Sequence, residues 1–404
     1  MPAPGLTLVR RKLGTLRRVV QDGGARGMLT VAGQYARAVG RYVPNAENLR
    51  TAARGRSFLD ARRKYGRPED GVLVFFGGIG DDLMMTVILR EFARRGHRRA
   101  FVMTQAPELY RNNPDPAAVL KWDIYYLRWL DAFGWTRLRP HYARYVKELD
   151  ADLGPPGHII TTMCEKAGIV GPIARKPYLE LDEAERAAGR LAPNQIAIQS
   201  SGLSARAHME TKQWFPERFQ AVVDALKHDF TFVHVGARSD PPLEGTIDLR
   251  GKTSIRETAA VLANSITFVG QVGLLMHVAR AVDCRSVIVY GGREIPEATG
   301  YGCNENLYSP VECSPCWQRH HCGHGMKCMH LIGVDEVVHA VERQVARAGT
   351  PVPVDTDVIT TEGVRTRVTD DGRTMLTLYD MNENEYEVEA KFLPGASREG
   401  VSAA

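Results

Sequence analysis

The sequence predicts an α/β protein built from two doubly wound parallel sheets that face each other across a cleft. Three observations predict this fold: short apolar runs recur along the chain, most of them end in Gly or Ser, and helical stretches separate them. Continuous apolar character is typical of strands that are buried on both faces. The predicted strands are Val72–Phe76, Ala100–Thr104, His158–Thr162, Ile196–Gln199, Phe230–Val235, Thr267–Val269 and Ser286–Tyr290.

The domain organisation follows from the length of 404 residues and from shifts in composition along the chain. The aromatic-rich segment 122–135 is expected to be a packed helix rather than a cofactor site, and segment 182–195 to be an interdomain linker. Alternation around Asp370-Asp371-Gly372 predicts a β-hairpin over 364–380. The expected parts are a helical basic arm over 1–67, Rossmann-like domains over 68–185 and 190–347, and a β-hairpin tail with a disordered end over 348–404.

The composition is ordinary for a globular protein, with 44% apolar and 25% charged residues, and no apolar run approaches the length of a membrane span. No signal peptide is recognisable, so we expect a cytoplasmic protein. Residues 1–67 carry a net charge of +12, which leaves −7 for the rest of a chain whose total is +5. Such an arm suits phosphates, the anionic face of the inner membrane or an acidic partner, and a solvated helical face explains it equally well. Nucleic acid is not expected, because the arm has few aromatic residues.

The glycine-rich turn after the first strand is the first candidate site. Gly77, Gly78 and Gly80 allow the backbone to approach a ligand at the carboxyl end of a parallel strand. Asp81 and Asp82 follow at the start of a predicted helix. An acidic residue there is a candidate base, and it also suits a helix cap, which is the commoner role.

The second predicted domain carries two further candidate clusters. Ser200, Ser201 and Lys212 follow a strand end and supply the hydroxyls and the point charge of a phosphate site. Gln271 and Gly273 lie at another strand end, where the next helix would offer its free N–H groups to a diphosphate. His277, in the first turns of that helix, is either a ligand contact or a packing residue.

Four cysteines within sixteen residues form the last cluster: Cys313, Cys316, Cys322 and Cys328. In a reducing compartment this density favours a metal over disulfides, and thiolates suit iron or zinc. Four protein ligands would leave no open position, so such an ion would be structural. A metal-free, thiol-rich loop fits the same spacing.

Taken in order, these motifs resemble glycosyltransferase family 9, the bacterial heptosyltransferases of lipopolysaccharide biosynthesis. The resemblance spans roughly residues 71–345. It rests on the Gly77–Asp81 loop, on the Ser200-Ser201 pair with Lys212–Phe219, on the segment from Asp248 to His277, and on the cysteine cluster. The cysteine set is also similar to the iron-bearing motif of the autotransporter heptosyltransferases, which modify protein and assemble into large oligomers.

The resemblance implies a GT-B enzyme that needs no cofactor for catalysis, with Asp81 as the base and donor phosphates on Ser200, Ser201 and Lys212. It implies inverting transfer of a sugar from a nucleoside diphosphate, an ADP-sugar by preference, to a glycan, lipid-linked glycan or protein, and it is compatible with a homo-oligomer. One departure is clear: where the family has an aspartate that contacts the donor sugar, this chain has Val272. Either the sugar is held by Gln271 or another residue, or the donor is not ADP-heptose. Alternatives are a non-catalytic sugar-nucleotide-binding or assembly protein, a GT-B epimerase, and a metal-sensing module.

Overall fold

The computed structural model describes residues 46–74, 77–205, 208–380 and 383–394. These residues divide into two compact units, one formed by the described residues up to Gly66 together with Asp123–Phe133, and one formed by Arg67–Trp122 and the described residues from Gly134 onward. Most of the predicted basic arm (1–45) and the predicted disordered end (395–404) lie outside the described residues. Within the described ranges, no helix combines the length and the apolar character that crossing a bilayer requires.

The helices alternate with the strands along most of the chain. The helices are α1 (Ala46–Tyr65), α2 (Ile79–Arg94), α3 (Ile124–Ala132), α4 (Ile159–Lys166), α5 (Glu183–Ala188), α6 (Pro216–Leu226), α7 (Ile255–Ala263), α8 (Leu274–Ala281), α9 (Pro296–Thr299), α10 (Lys327–Leu331) and α11 (Val334–Ala346). The strands are β1 (Val72–Val74), β2 (Phe101–Thr104), β3 (Ala118–Lys121), β4 (Arg137–Leu138), β5 (Arg144–Val146), β6 (Ala151–Leu153), β7 (Gly171–Ala174), β8 (Gln195–Ile198), β9 (Thr231–His234), β10 (Ile247–Asp248), β11 (Phe268–Gln271), β12 (Ser286–Gly291), β13 (Glu305–Tyr308), β14 (Thr356–Ile359), β15 (Arg365–Val368), β16 (Thr374–Tyr379) and β17 (Glu385–Glu389).

Aromatic packing holds the first unit together. Phe58 of α1 is fully buried, and its ring stacks 6.1 Å from that of Trp129 on α3 and lies 5.3 Å from that of Phe133. Gly55 permits this approach, because a Cβ there would lie 2.4 Å from the Trp129 ring. The prediction that segment 122–135 is a packed helix is confirmed by α3 and these contacts.

Two parallel sheets dominate the second unit. The first has the strand order β3-β2-β1-β4, and the second the order β10-β9-β8-β11-β12-β13. In each sheet, successive strands are first added on one side of the first strand, and the chain then crosses over to add the later strands on its other side. This reversal lies between β1 and β4 in one sheet and between β8 and β11 in the other. Open α/β sheets bind ligands at the carboxyl ends of the strands beside such a reversal, so the topology marks the turns that follow β1, β4, β8 and β11.

The inner strands β1, β2, β8, β11 and β12 are buried along their whole length, as their composition predicts. Leu73 lies opposite Val102 on one side and Leu138 on the other, and Val269 lies opposite Ile198 and Val287. Six of the seven predicted strands are present in these sheets. The α/β fold class with parallel sheets is therefore confirmed.

The predicted strand His158–Thr162 is wrong, because this segment begins helix α4. The Nδ1 atom of His158 accepts a hydrogen bond from the backbone N–H of Ile160 and so caps the helix. Ile159, Ile160, Met163 and Cys164 are all buried. Their spacing of one, four and five residues is helical, and a short apolar run does not separate the two periods.

The segment predicted to be an interdomain linker contains the short helix α5, which begins with a capping box between Asp182 and Glu185. Glu185 also forms an ion pair with Arg256 of α7, at 2.5 Å. The connection between the two sheets is therefore held by charge pairs.

The hairpin predicted over 364–380 is present as β15 and β16, and β17 adds a third antiparallel strand. Leu376, Leu378 and Val388 of this sheet are buried within the main core. Gly168 has φ +82°, and a Cβ there would lie 2.3 Å from the carbonyl oxygen of Glu389. The C-terminal strands are therefore packed against the first sheet domain.

Candidate active site

Asp81 lies in the first turn of α2, directly after the glycine-rich turn that follows β1. One carboxylate oxygen accepts a hydrogen bond from the backbone N–H of Gly78 at 2.7 Å, so Asp81 does cap the helix. The other oxygen accepts a hydrogen bond from the hydroxyl of Tyr142 at 2.8 Å. Burial raises the pKa of Asp81, and the Tyr142 and Gly78 hydrogen bonds and the charge of Lys212 oppose that rise. The carboxylate thus meets the charge cluster of the second sheet domain.

Asp82 has a different environment, although it is the next residue. Its carboxylate is buried and accepts hydrogen bonds from the hydroxyl of Thr104 at 2.8 Å and the backbone N–H of Gln105 at 3.2 Å. Burial raises the pKa of Asp82 to about 6. Its hydrogen bonds join α2 to the end of β2, which is a structural role.

The glycine-rich turn approaches helix α8 closely. A Cβ on Gly80 would lie 3.4 Å from Cδ2 of His277 and 3.7 Å from Cα of Leu274. Gly77 and Gly78 precede Gly80 on the same turn. The turn after β1 therefore faces the start of the helix that follows β11, and each of these turns lies beside the strand reversal of its own sheet.

Lys212 belongs to a chain of buried charges. Its Nζ atom lies 2.6 Å from the carboxylate of Glu294, which also pairs with Arg293 at 2.9 Å. Arg293 in turn pairs with Asp152 at 2.5 Å. Burial would raise the pKa of Glu294, but Lys212 and Arg293 outweigh it and lower that pKa to about 2. Burial lowers the pKa of Lys212, while Glu294 opposes that change.

His277 is buried against Tyr301, whose hydroxyl lies 2.7 Å from Nδ1 of His277. Burial lowers the pKa of His277 to about 3, and the charge of Lys212 acts in the same direction. The imidazole is therefore neutral over the working range of most enzymes. Its ring lies against the glycine-rich turn, since a Cβ on Gly80 would be 3.4 Å from its Cδ2 atom.

The two predicted hydroxyls differ in their contacts. Ser200 donates to the backbone carbonyl of Pro241 at 2.7 Å and lies 3.0 Å from Nε2 of His234. Ser201 donates at 3.2 Å to the side-chain oxygen of Gln213, and that oxygen also accepts from Gln271 at 2.7 Å. Ser201 and Gln271 thus share one amide partner, whereas Ser200 is directed into the domain.

Helix α8 begins after Gly273 without a side-chain cap. Its first N–H groups and the positive end of its dipole are therefore available to an anion. Val272, which stands where the resemblance would place an aspartate that contacts the donor sugar, is buried in the core. Gln271 is also buried, and its side-chain oxygen Oε1 accepts a hydrogen bond from the backbone N–H of Trp214 at 3.1 Å.

The four clustered cysteines line one cavity together with Thr211 and Arg293, and none forms a disulfide. Burial raises the pKa of the Cys316 and Cys328 thiols. Four thiols around one cavity match a structural iron or zinc ion in ligand number and chemistry. The cavity borders the segments that carry Lys212 and Arg293, so an ion bound there would stabilise both segments.

The sequence patterns did not indicate Tyr142, Glu294, Arg293 or Asp152. Tyr142 follows β4, whose two residues are too short a run to be recognised as a strand. Arg293-Glu294 follows Gly291-Gly292 at the end of β12, a strand that was predicted correctly. Attention to polar residues after every strand end would have found this pair.

The buried histidines predict acid-sensitive stability. Burial lowers the pKa of His158 to about 4, as it does for His234. An unfolded histidine, with a pKa of about 6.5, binds protons that the folded protein excludes, so stability is lost as the pH falls from about 6.5 towards about 4. Each such group should lower the free energy of unfolding by about 1.4 kcal/mol between about pH 7.5 and about pH 5.5.

Urea unfolding of a His158→Asn variant at both pH values tests this prediction. Asparagine keeps a cap acceptor for α4 but does not titrate, so the difference in unfolding free energy between the two pH values should shrink. The matched control is His228→Asn, because His228 is exposed. An unchanged pH dependence in the His158 variant would contradict the account of this histidine.

Residues 172–326 match the model of glycosyltransferase family 9 (heptosyltransferase). The chain is therefore a glycosyltransferase. The family 9 match covers residues 172–326 and agrees with the family that the motifs predicted. The matched residues include Ser200, Lys212 and His277 but not Asp81. No curated protein matches the sequence.

Solved structures of similar fold include three bacterial glycosyltransferases. A family 9 glycosyl transferase of Veillonella parvula is 15% identical with a TM-score of 0.52, over 69% of this chain and 97% of its own. E. coli ADP-heptose LPS heptosyltransferase II is 15% identical with a TM-score of 0.51, over 69% and 99%. TibC, an iron-containing dodecameric glycosyltransferase of enterotoxigenic E. coli, is 15% identical with a TM-score of 0.52, over 68% and 76%. These likenesses confirm the predicted GT-B fold.

Proposed function

We propose that this glycosyltransferase moves a sugar, with inversion, from a nucleoside-diphosphate donor to a hydroxyl acceptor, and that Asp81 is the base. The observation that carries the proposal is the close approach of two turns from different sheet domains: a Cβ on Gly80, next to Asp81, would lie 3.4 Å from His277 of α8. The charge of Lys212 also acts on Asp81 and opposes the rise in pKa that burial causes. A base and an anion-binding group on opposite sides of one bond are what a direct displacement requires.

Asp81 would accept the proton of the acceptor hydroxyl while that oxygen attacks the anomeric carbon. Burial raises the pKa of Asp81, which makes its carboxylate a stronger base than an exposed aspartate. Tyr142 and Gly78 each donate to one carboxylate oxygen, so the side chain is held in one orientation. Each oxygen retains a lone pair for the incoming proton.

The leaving group is a nucleoside diphosphate, which takes the electron pair of the broken C–O bond. Lys212 and the uncapped start of α8 would stabilise the added negative charge. Glu294 holds Lys212 before the donor binds, at 2.6 Å. Arg293 also pairs with Glu294, so Lys212 can turn to the diphosphate without leaving that carboxylate unpaired.

An ADP-sugar, ADP-heptose or a relative of it, is the donor we propose, because one solved structure of this fold is an ADP-heptose heptosyltransferase. In a thermal-shift screen of nucleotide sugars, ADP-heptose should raise the unfolding temperature more than UDP- or GDP-sugars, because a ligand that binds only the native state stabilises it. At a concentration of about 100 Kd the expected stabilisation is about 2.7 kcal/mol.

The same preparation separates the competing functions. Transfer to an added glycan or protein acceptor supports the proposal. Binding without turnover would support a non-catalytic role, which Val272 in place of the family's aspartate makes worth testing. Conversion of the free nucleotide sugar without acceptor would identify an epimerase. A shift with UDP- or GDP-sugars alone would overturn the choice of an ADP-sugar.

The cysteine cluster has a structural part in this proposal. Cys313, Cys316, Cys322 and Cys328 would hold an iron or zinc ion that fixes the segment around Arg293, and no step of the transfer passes through it. The reaction itself requires no other cofactor.

We also propose that the basic arm holds the protein at an anionic membrane surface on the cytoplasmic side. In the described part of the arm, the last turn of α1 carries Arg62, Arg63 and Lys64, which are exposed. Each basic residue near an anionic surface contributes about 1 kcal/mol. The full-length protein should therefore sediment with anionic vesicles at low salt, and much less at high salt. Equal binding to neutral vesicles would contradict this role.

A further inference from the structure

His208, Glu210 and His320 bring their ligand atoms together, all within 4.8 Å of one another. Among the residues that the structure describes, no other group of three His, Cys, Asp or Glu side chains brings its ligand atoms this close together. The two imidazole rings lie 5.3 Å apart, nearly perpendicular to each other. His208 and Glu210 are exposed and His320 is half-buried, so an ion could enter from solvent.

The backbone fixes this arrangement from both sides. The N–H of Thr211, next to Glu210, donates to the carbonyl of Arg319 at 3.3 Å, and the Thr211 hydroxyl donates to the carbonyl of Gln318 at 2.5 Å. The N–H of His320 donates to the carboxylate of Asp150 at 3.0 Å. The three ligands therefore come from two segments about a hundred residues apart that are already joined by hydrogen bonds.

We propose that His208, Glu210 and His320 form a second metal site, which binds a divalent transition-metal ion such as Zn²⁺. Two imidazoles and one carboxylate suit zinc, and three protein ligands leave a position for water. The site is distinct in its ligands from the cysteine cluster, which offers thiolates. The carboxylate of Glu210 also neutralises part of the positive charge of the ion.

The position of the site gives it a consequence for Lys212. Glu210 and Lys212 lie in the same single turn of 3-10 helix. An ion held by Glu210, His208 and His320 would tie this turn to the segment 318–320 and so restrict where the Lys212 ammonium can move. Metal binding itself does not depend on the proposed transfer reaction; only its effect on Lys212 does.

Equilibrium dialysis of the full chain against Zn²⁺ tests the site. Wild-type protein should bind one more ion per chain than the His208→Ala/His320→Ala variant. The matched control is His228→Ala/His339→Ala, whose histidines are exposed elsewhere, and it should bind the wild-type number. Equal stoichiometry in the wild type and the His208/His320 variant would overturn the proposal.

Co²⁺ separates the two kinds of site by absorption. Thiolate ligands give sulfur-to-cobalt charge-transfer bands, whereas imidazole and carboxylate ligands do not. The spectrum lost in the His208→Ala/His320→Ala variant should therefore lack such bands. If the lost spectrum contains them, the histidines serve the cysteine cluster and the separate site does not exist. This spectrum does not involve sugar transfer, so failure of the proposed function leaves it unaffected.

Discussion

Replacing Asp81 with asparagine should leave the protein folded and reduce sugar transfer by about 10²–10⁴-fold, the usual contribution of a general base. Asparagine has the same shape, and its carbonyl oxygen can still accept the hydrogen bond from Gly78 that caps α2. It cannot accept a proton from the acceptor. Initial rates with saturating donor, together with the unfolding temperature, measure both expectations.

The adjacent carboxylate provides the control. Asp82→Asn changes a group bound to Thr104 and Gln105 rather than one exposed to the cleft, so its transfer rate should stay near wild type. The rate of the wild type should fall at low pH as Asp81 is protonated, and this limb should be absent in Asp81→Asn. Tyr142→Phe removes a hydrogen bond that lowers the pKa of Asp81, so it should move the limb to higher pH. Wild-type transfer by Asp81→Asn would remove this residue from the mechanism.

Lys212→Gln should lower kcat/KM by about 10²–10³-fold, the effect of losing one group that stabilises transition-state charge. Lys212 is the cation whose charge lowers the pKa of Asp81 against the effect of burial. The diphosphate gains negative charge as the bond to the sugar breaks. Steady-state kinetics should show a lower kcat as well as a higher KM, because the interaction is present in the bound donor and strengthens in the transition state.

The matched control for this variant is Lys227→Gln, since Lys227 is exposed and pairs with Asp224 at the end of its own helix. The Lys212→Gln/Glu294→Gln double variant tests the pairing. Glu294 keeps its pair with Arg293 when Lys212 is lost, so the single variant should stay folded and the second change should not restore activity. Unchanged kinetics in Lys212→Gln would exclude a role at the diphosphate.

The sequence predicts the sheets well because their strands are short apolar runs that end in Gly or Ser, and burial on both faces demands that pattern. It fails at His158, because Ile159 and Ile160 fit a buried strand and a buried helix equally. It predicts Asp81 and Lys212 as candidate site residues, because both follow recognisable strand and turn patterns. It misses Tyr142 and the Arg293–Asp152 pair, which meet their partners across 61 and 141 residues of chain. Such contacts depend on how the two sheets face each other, which no local pattern encodes.

The anomeric configuration of the product tests the central claim most directly. A single in-line displacement, with Asp81 on the acceptor side and Lys212 on the diphosphate side, gives a product whose configuration at that carbon is opposite to that of the donor. NMR of the product formed from an α- or β-linked ADP-sugar would show it. Inversion agrees with this account, and retention of the donor configuration would contradict it.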